Sequence, residues 1–178
     1  MSAIASKWRV AKARARRYAG TVTMRIDPLA IAIASDHAGF DMKAMLTDWL
    51  RMQGHAVEDL GPHDTASVDY PDFGYALARA VADGRATHGV AVCGSGIGIS
   101  IAVNRHPAAR CALVSDTLSA RLAREHNDAN VIALGARLIG PDTAKDALAA
   151  FLATPFAGDR HLARVAKLGK PTFDKGPV

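Results

Sequence analysis

The sequence has few cysteines and lacks any long apolar segment. Cys93 and Cys111 are its two cysteines, which is too few for the disulfide framework of a small secreted domain and fits a reducing compartment. No uninterrupted apolar stretch reaches 18 residues, so no transmembrane helix is predicted. With 178 residues the chain is long enough for one domain with a substantial core. We therefore expect a soluble, cytoplasmic protein with no membrane partner.

Acidic residues are absent from the first 25 positions, which hold seven basic residues. This leaves 15 of the 22 basic residues against all 17 acidic ones in the remaining chain, so the net positive charge comes from the N-terminal segment. The segment could be a nucleic-acid-binding arm, an arginine-rich targeting peptide, or the product of a start codon assigned upstream of Met24. We predict a basic, disordered and dispensable extension over residues 1–23 and a single domain over residues 24–178. Nucleic acid is not an expected partner.

Short apolar runs alternate with helical patterns along the rest of the chain. The runs predict five strands, near residues 29–34, 55–60, 89–93, 111–114 and 130–134. Helices are predicted between them and after the last, near residues 40–52, 73–83, 96–104, 117–125, 142–152 and 160–164. Because right-handed crossovers join successive parallel strands, this order predicts a doubly wound α/β/α sandwich with a five-stranded parallel sheet, a Rossmann-like fold.

Polar clusters follow several of the predicted strands, at Asp36-His37, Cys93 to Gly98, Asp116 and Arg137. The carboxyl ends of parallel strands meet at one edge of a sheet, and ligands of such folds bind there. We therefore expect the functional site at this edge.

The most unusual of these clusters is Cys93-Gly94-Ser95-Gly96-Ile97-Gly98, which interrupts an apolar run. Glycine accepts positive φ and lets backbone N–H groups approach a ligand. Such amides favour an anion, including the thiolate form of Cys93. Free cysteines are also often packing residues, so both a base or nucleophile and a core thiol remain open. The spacing fits neither a Gly-x-Gly-x-x-Gly nucleotide motif nor a cysteine phosphatase, which would need an arginine where Ile99 stands.

Three histidines are candidate proton carriers, because imidazole titrates near neutral pH. They are His37, His126 and His161, and each could equally be a surface or helix-end histidine. They lie in separate segments without paired ligand spacing, so no metal site is predicted.

Arg160 and Arg164 are four residues apart and would share one helix face. Such a pair can bind a phosphate through charge-assisted hydrogen bonds, or form a solvated surface. Asp36 and Asp69 could likewise be functional, or a helix cap and a turn residue.

Several motifs in a fixed order are the most specific feature of the sequence: Ser35 to Phe40 with Lys43, Asp69-Tyr70-Pro71, Cys93 to Gly98, Asn104, Glu125 to Val131, Gly135-Ala136-Arg137, and Arg160 to Val165. In this combination, over residues 29–167, the chain resembles the ribose-5-phosphate isomerase B family, which includes galactose-6-phosphate isomerase subunits. The resemblance implies interconversion of ribose 5-phosphate and ribulose 5-phosphate through an enediolate, in the pentose phosphate pathway, without metal or cofactor. It also implies a homodimer or homotetramer with the active site between subunits.

The resemblance assigns roles to individual residues. Cys93 matches the base that moves a proton between C2 and C1, and His126 matches the residue that opens the furanose ring, with Asp69 as its helper. In a subgroup of the family the base is a glutamate near the position of Ile99. The other implied residues are an anion-binding loop, whose serine hydroxyl also handles protons (Gly94, Ser95, Gly96 and Gly98), phosphate contacts (His37, Arg137, Arg160 and Arg164) and sugar contacts (Asp36, Tyr70 and Asn127).

Two alternatives to a pentose phosphate isomerase remain open from the sequence. The first is an isomerase of another phosphosugar, such as allose 6-phosphate, galactose 6-phosphate or a tetrose phosphate. The second is a non-catalytic module that binds phosphosugars. The near-complete set of matching residues favours the pentose phosphate isomerase.

Overall fold

The computed structural model describes residues 28–171. The predicted extension over residues 1–23, and the ends of the predicted domain at 24–27 and 172–178, lie outside the described residues. Strands and helices alternate in the order β1 (Ala30–Ser35), α1 (Phe40–Met52), β2 (Ala56–Asp59), α2 (Tyr70–Ala82), β3 (His88–Cys93), α3 (Ile97–Val103), β4 (Cys111–Leu113), α4 (Thr117–Asn127), β5 (Val131–Gly135), α5 (Pro141–Ala153) and α6 (Leu162–Leu168), with 3-10 turns at His37–Gly39 and Asp159–His161.

The five strands form one parallel sheet in the order β2-β1-β3-β5-β4, which confirms the predicted fold class. β1 and β3 are neighbours, with Ser35 opposite Val92. β2 and β3 lie on opposite sides of β1, so the chain changes direction across the sheet there. The crevice beyond the carboxyl ends of β1 and β3 is therefore the topological switch point, where open α/β sheets bind ligands.

Two buried clusters fill the space between the sheet and its helices. Helices α1, α4 and α5 cover one face, where Leu46 and Phe151 are fully buried, and α2 and α3 cover the other, with Leu77 at its centre. Side chains alternate between the faces of a strand, so Val92 belongs to the first cluster and Cys93 to the second. Each helix within residues 28–171 is too short or too polar to cross a lipid bilayer.

Two helices differ from their predicted bounds near the site. Helix α2 begins at Tyr70, before the predicted start at Phe73, because Pro71 falls in its first turn, where no N–H donor is needed. Helix α4 continues two residues further than predicted and ends before Asp128, which adopts the left-handed region with φ 45°. His126 therefore lies in the last turn of α4 rather than beyond it.

The C-terminal helix is divided, where the sequence predicts one continuous helix. Gly158 and Asp159 both have positive φ, 70° and 43°, which an α-helix does not accommodate. An α-helix can therefore begin only after them; Arg160 and His161 lie in a 3-10 turn, and only Arg164 lies in α6. The two arginines do not share an α-helix face as predicted.

Candidate active site

A cavity of about 340 Å³ opens at the carboxyl ends of β1 and β3. Four segments contribute to its wall: the turn after β1, the start of α2, the glycine loop after β3 and the loop after β5. Its lining residues are Asp36, His37, Ala38, Tyr70, Cys93, Gly94, Ser95, Gly98, Arg137 and Leu138. The structure thus brings together eight of the fourteen predicted site residues at the expected edge of the sheet.

Cys93 is the last residue of β3, and its side chain is buried. Its Sγ accepts a hydrogen bond from the Gly96 N–H at 3.1 Å. Gly96 itself has a φ of 76°, which turns the chain into α3, and a thiolate accepts the Gly96 N–H more strongly than a thiol. The N–H groups of Gly94 and Ser95 donate no hydrogen bond to any described residue. These two amides are available to an oxygen on which negative charge develops.

Two close approaches hold the glycine loop in place. The ring of Tyr70 lies over Gly98, so that a Cβ there would come within 2.6 Å of the ring. The carbonyl oxygen of Ser95 passes Gly135 at the end of β5, where a Cβ would be 2.7 Å away. The contact at Gly135 is with backbone and leaves no room for a Cβ, whereas the contact at Gly98 is with a side chain; together they fix the loop against α2 and β5.

Asp36 and His37 connect the end of β1 to its surroundings. The Asp36 carboxylate accepts a hydrogen bond from the Gly39 N–H at 2.9 Å. The backbone N–H of Asp36 donates to the Val92 carbonyl at 3.2 Å. The Nδ1 atom of His37 accepts from the Val68 N–H at 3.2 Å, which tethers the loop before α2. Both side chains shape the cavity as well as lining it.

Arg137 brings a positive charge to the cavity. Its backbone N–H donates to the Gly94 carbonyl at 2.9 Å, and its guanidinium packs against Gly94, where a Cβ would lie 3.4 Å from Cζ. No carboxylate within residues 28–171 forms an ion pair with it. Such a guanidinium suits a phosphate, which it can bind through two hydrogen bonds.

A second group of predicted residues lies outside this cavity. His126 and Asn127 are in the last turn of α4, and Arg160 and Arg164 follow in the C-terminal segment. None of the four lines the Cys93 cavity. The His126 ring stacks on His161, with 4.5 Å between ring centroids and 9° between ring planes. We call these five residues the histidine–arginine group.

The pKa of His161 is lowered. Burial is the main cause, and the neighbouring His126, Arg160 and Arg164 act in the same direction. Asp159 opposes them. The ring is therefore neutral near neutral pH.

Asn127 lines a second cavity, of about 390 Å³. Cys111 is in the wall of the same cavity, and burial raises the pKa of its thiol to about 12, which keeps it protonated and unsuited to act as a base. The Asn104 side chain donates to the Cys111 carbonyl at 2.9 Å and accepts from its N–H at 2.8 Å. Asn104 thus pairs with both backbone groups of Cys111, the first residue of β4.

Three residues singled out from the sequence do not line the first cavity: Asp69, Gly96 and Asp116. Asp69 precedes α2 at its N-cap position without a side-chain bond to the helix. Asp116 follows β4 and caps α4 by accepting the Ser119 N–H at 2.8 Å. Because β5 lies between β3 and β4, Asp116 is separated from the cavity. Among the described residues, no group of three or more His, Cys, Asp or Glu could hold a metal ion.

Sequence reasoning did not single out two lining residues, Ala38 and Leu138. Leu138 is 63% exposed, and its position next to Arg137 was the only sequence feature that pointed to it.

Lys43 belongs to the motifs but does not line the cavity. It is almost fully buried, and its Nζ lies 2.6 Å from the Asp59 carboxylate, so it has a structural role.

Residues 31–168 match a family model described as Ribose/Galactose Isomerase. The chain is 40% identical over 135 residues to ribose-5-phosphate isomerase B of Escherichia coli, covering 76% of this chain and 91% of that protein. It is 43% identical over 142 residues to D-erythrulose-4-phosphate isomerase of Pectobacterium atrosepticum, covering 79% and 93%. The structure of ribose-5-phosphate isomerase B from Clostridium thermocellum is similar with a TM-score of 0.77 and 47% identity, covering 78% of this chain and 94% of that one.

Proposed function

The chain belongs to the ribose/galactose isomerase family of sugar-phosphate isomerases, and from this premise we propose that it interconverts D-ribose 5-phosphate and D-ribulose 5-phosphate. The observation that carries the proposal is the Cys93 thiol. It is buried in the wall of a cavity of about 340 Å³ and accepts the Gly96 N–H. A base held this way, beside unused backbone amides, is suited to forming an enediolate.

The proton transfer follows from these groups. The Cys93 thiolate removes the proton from C2 of the open-chain aldose, and the electron pair forms the C1–C2 double bond of an enediolate. The amides of Gly94 and Ser95 stabilise the negative charge on its oxygen. The Cys93 thiol then returns the proton to C1, and the O2 proton passes to O1, so that a carbonyl forms at C2 and a hydroxyl at C1. The Ser95 hydroxyl is placed to help in moving the hydroxyl protons.

Pentose phosphates are mostly cyclic, so the furanose ring must open before this step. We assign ring opening to His126, whose imidazole accepts the proton of the O1 hydroxyl and supplies one to the ring oxygen. Asp69 assists it. The phosphate would be bound by His37, Arg137, Arg160 and Arg164, and the sugar hydroxyls by Asp36, Tyr70 and Asn127.

We further propose that the site is completed by a second copy of the chain, in a homodimer or a tetramer of two dimers. Two observations support this. The histidine–arginine group does not line the Cys93 cavity, although the reaction needs both. Exposed apolar side chains also surround the glycine loop, on α3, β4 and α4: Ile97, Ile101, Leu113 and Leu118. A partner would bury this face and bring its own histidine–arginine group to the cavity.

A tetrose phosphate is the second candidate substrate, because one relative of similar identity is named D-erythrulose-4-phosphate isomerase. Steady-state rates on ribose 5-phosphate, erythrose 4-phosphate, allose 6-phosphate and galactose 6-phosphate, with and without a chelator, test the proposal. We expect kcat/KM for ribose 5-phosphate to exceed each of the others by about tenfold or more. A larger value for a four- or six-carbon sugar would overturn the substrate assignment. Binding without turnover would indicate a non-catalytic module.

A further inference from the structure

The stack between His126 and His161 is not accounted for by ring opening, which needs only one imidazole. We propose that His161 is a positioning residue with two partners: the face of its ring fixes the plane of the His126 imidazole, and its Nε2 atom fixes the Arg160 guanidinium. This inference rests on the proposed function, in which His126 opens the sugar ring and Arg160 binds the phosphate. The two partners predict two separate kinetic effects.

The fold builds this stack by docking the segment after α5 on the last turn of α4. The Ala157 N–H donates to the Glu125 carbonyl at 3.0 Å. The neighbouring Arg124 donates from Nε to the Thr154 carbonyl at 3.3 Å. These bonds bring the 3-10 turn alongside α4, where His161 meets His126 face to face.

The surroundings of His161 suit a rigid support rather than a proton carrier. Its side chain is 7% exposed. Arg160 Nε donates to His161 Nε2 at 3.3 Å, which requires that nitrogen to be unprotonated and leaves the ring proton on Nδ1. The charged or titratable groups around it are His126, Arg160, Arg164 and Asp159, and all but the last oppose its protonation.

The surroundings of His126, in contrast, suit a proton carrier. Its side chain is half-buried, and neither ring nitrogen has a hydrogen-bond partner within residues 28–171. A base must reach its proton at about 2.6–3.2 Å, and a ring held at one end of a helix without a hydrogen bond could rotate away. Stacking restricts the ring plane and leaves both nitrogens, which lie at the ring edge, available to the substrate.

Two substitutions at position 161 distinguish the contact with His126 from the contact with Arg160. His161→Gln removes the aromatic face but keeps an oxygen that can accept from Arg160. His161→Phe keeps the face and removes the acceptor. With ribose 5-phosphate we expect the glutamine variant to lose about ten- to a hundredfold in kcat with little change in KM. We expect the phenylalanine variant to keep kcat within about threefold and to raise KM several-fold.

An open-chain substrate and a spectroscopic readout complete the test. Erythrose 4-phosphate cannot form a furanose ring, so the glutamine variant should turn it over within about twofold of wild type. Stacked rings shift each other's proton resonances, so the His126 ring protons should move toward free-histidine values in the glutamine variant and stay in place in the phenylalanine variant. The exposed His63→Gln variant is the matched control and should leave every value unchanged.

The outcomes distinguish this inference from the proposed function. If wild type does not isomerise ribose 5-phosphate, the proposed function fails. If wild type is active but both His161 variants lose kcat and raise KM to the same extent, the proposed function stands and the positioning role is overturned. Equal losses of the glutamine variant on both sugars would overturn it as well.

Discussion

At the scale of single residues, the two cysteines occupy surroundings that suit opposite chemistry. Burial without a donor raises the pKa of the Cys111 thiol to about 12, so that thiol stays protonated and inert. The Cys93 sulfur is also buried, but it accepts the Gly96 N–H and faces a cavity. The two surroundings differ in the donor and the open cavity beside Cys93.

Replacing Cys93 tests its role as the base. We expect Cys93→Ala to lower kcat on ribose 5-phosphate by about 10²–10⁴-fold, the range that one acid–base group supplies. Binding of ribose 5-phosphate, measured by calorimetry, should persist because the phosphate contacts remain. Cys111→Ala is the matched control and should retain kcat within about threefold. Near-normal turnover by Cys93→Ala would rule out the base assignment.

The contact between Gly98 and Tyr70 gives a second prediction. A Cβ at position 98 would lie 2.6 Å from the Tyr70 ring, but that ring is 41% exposed and can move aside. We therefore expect Gly98→Ala to cost less than about 1 kcal/mol of unfolding free energy, at the lower end of overpacking effects, while KM rises several-fold because a wall of the cavity has shifted.

Urea denaturation and steady-state kinetics measure these two effects. Gly140→Ala is the control, because a Cβ there meets nothing within 4 Å and φ at that position is negative. An unchanged KM in the Gly98 variant would mean that Tyr70 does not contact the substrate.

At the scale of elements, the sequence predicts the five strands to within one residue, because four of them are apolar runs bounded by glycine, proline or polar residues; β2, with Glu58 and Asp59, is the exception. The helix ends are less predictable. Pro71 reads as a loop residue although it suits a first helical turn, and the positive φ at Asp128 and Gly158, next to two helical segments, leaves no mark in the hydrophobic pattern. The separation of His126 from the Cys93 cavity has no signal in the local sequence pattern, since it depends on where α4 packs; only the family resemblance implies a site between subunits.

The start of β3 gives the protein a pH-dependent stability. Burial, and secondly Arg124, lower the pKa of His88 to about 4, against a partial opposing effect of Asp128. Burial also lowers the pKa of His55. Because the folded pKa lies below the unfolded value, the unfolded chain binds more protons between about pH 6.5 and pH 4, and stability decreases as the pH falls through this window.

The expected loss across that window is about 1–3 kcal/mol of unfolding free energy from His88. Urea unfolding at a series of pH values measures it. His88→Gln should flatten the part of the profile between about pH 6.5 and pH 5, where carboxylates contribute little. A profile as steep as that of wild type would assign the pH dependence to other groups.

At the scale of the whole molecule, the described chain contains both halves of the proposed site but does not bring them together. The cavity half holds Cys93 and Arg137, and the other half is the histidine–arginine group. A closed two-fold assembly would bring each half to the complementary half of its partner and form two sites. The same assembly would bury the apolar side chains around the glycine loop.

Mixing two inactive variants tests this arrangement. Cys93→Ala lacks the base and His126→Asn lacks the ring-opening group, so each homodimer should be nearly inactive on ribose 5-phosphate. If the two groups of one site come from different chains, a heterodimer has one site with both substitutions and one with neither. Random pairing of equal amounts, after co-refolding, gives about half heterodimers and therefore about a quarter of wild-type activity per chain. If both groups came from one chain, no complete site could form and activity would not recover. A mixture of Cys93→Ala with Cys93→Ser is the control, because neither chain then supplies the thiol.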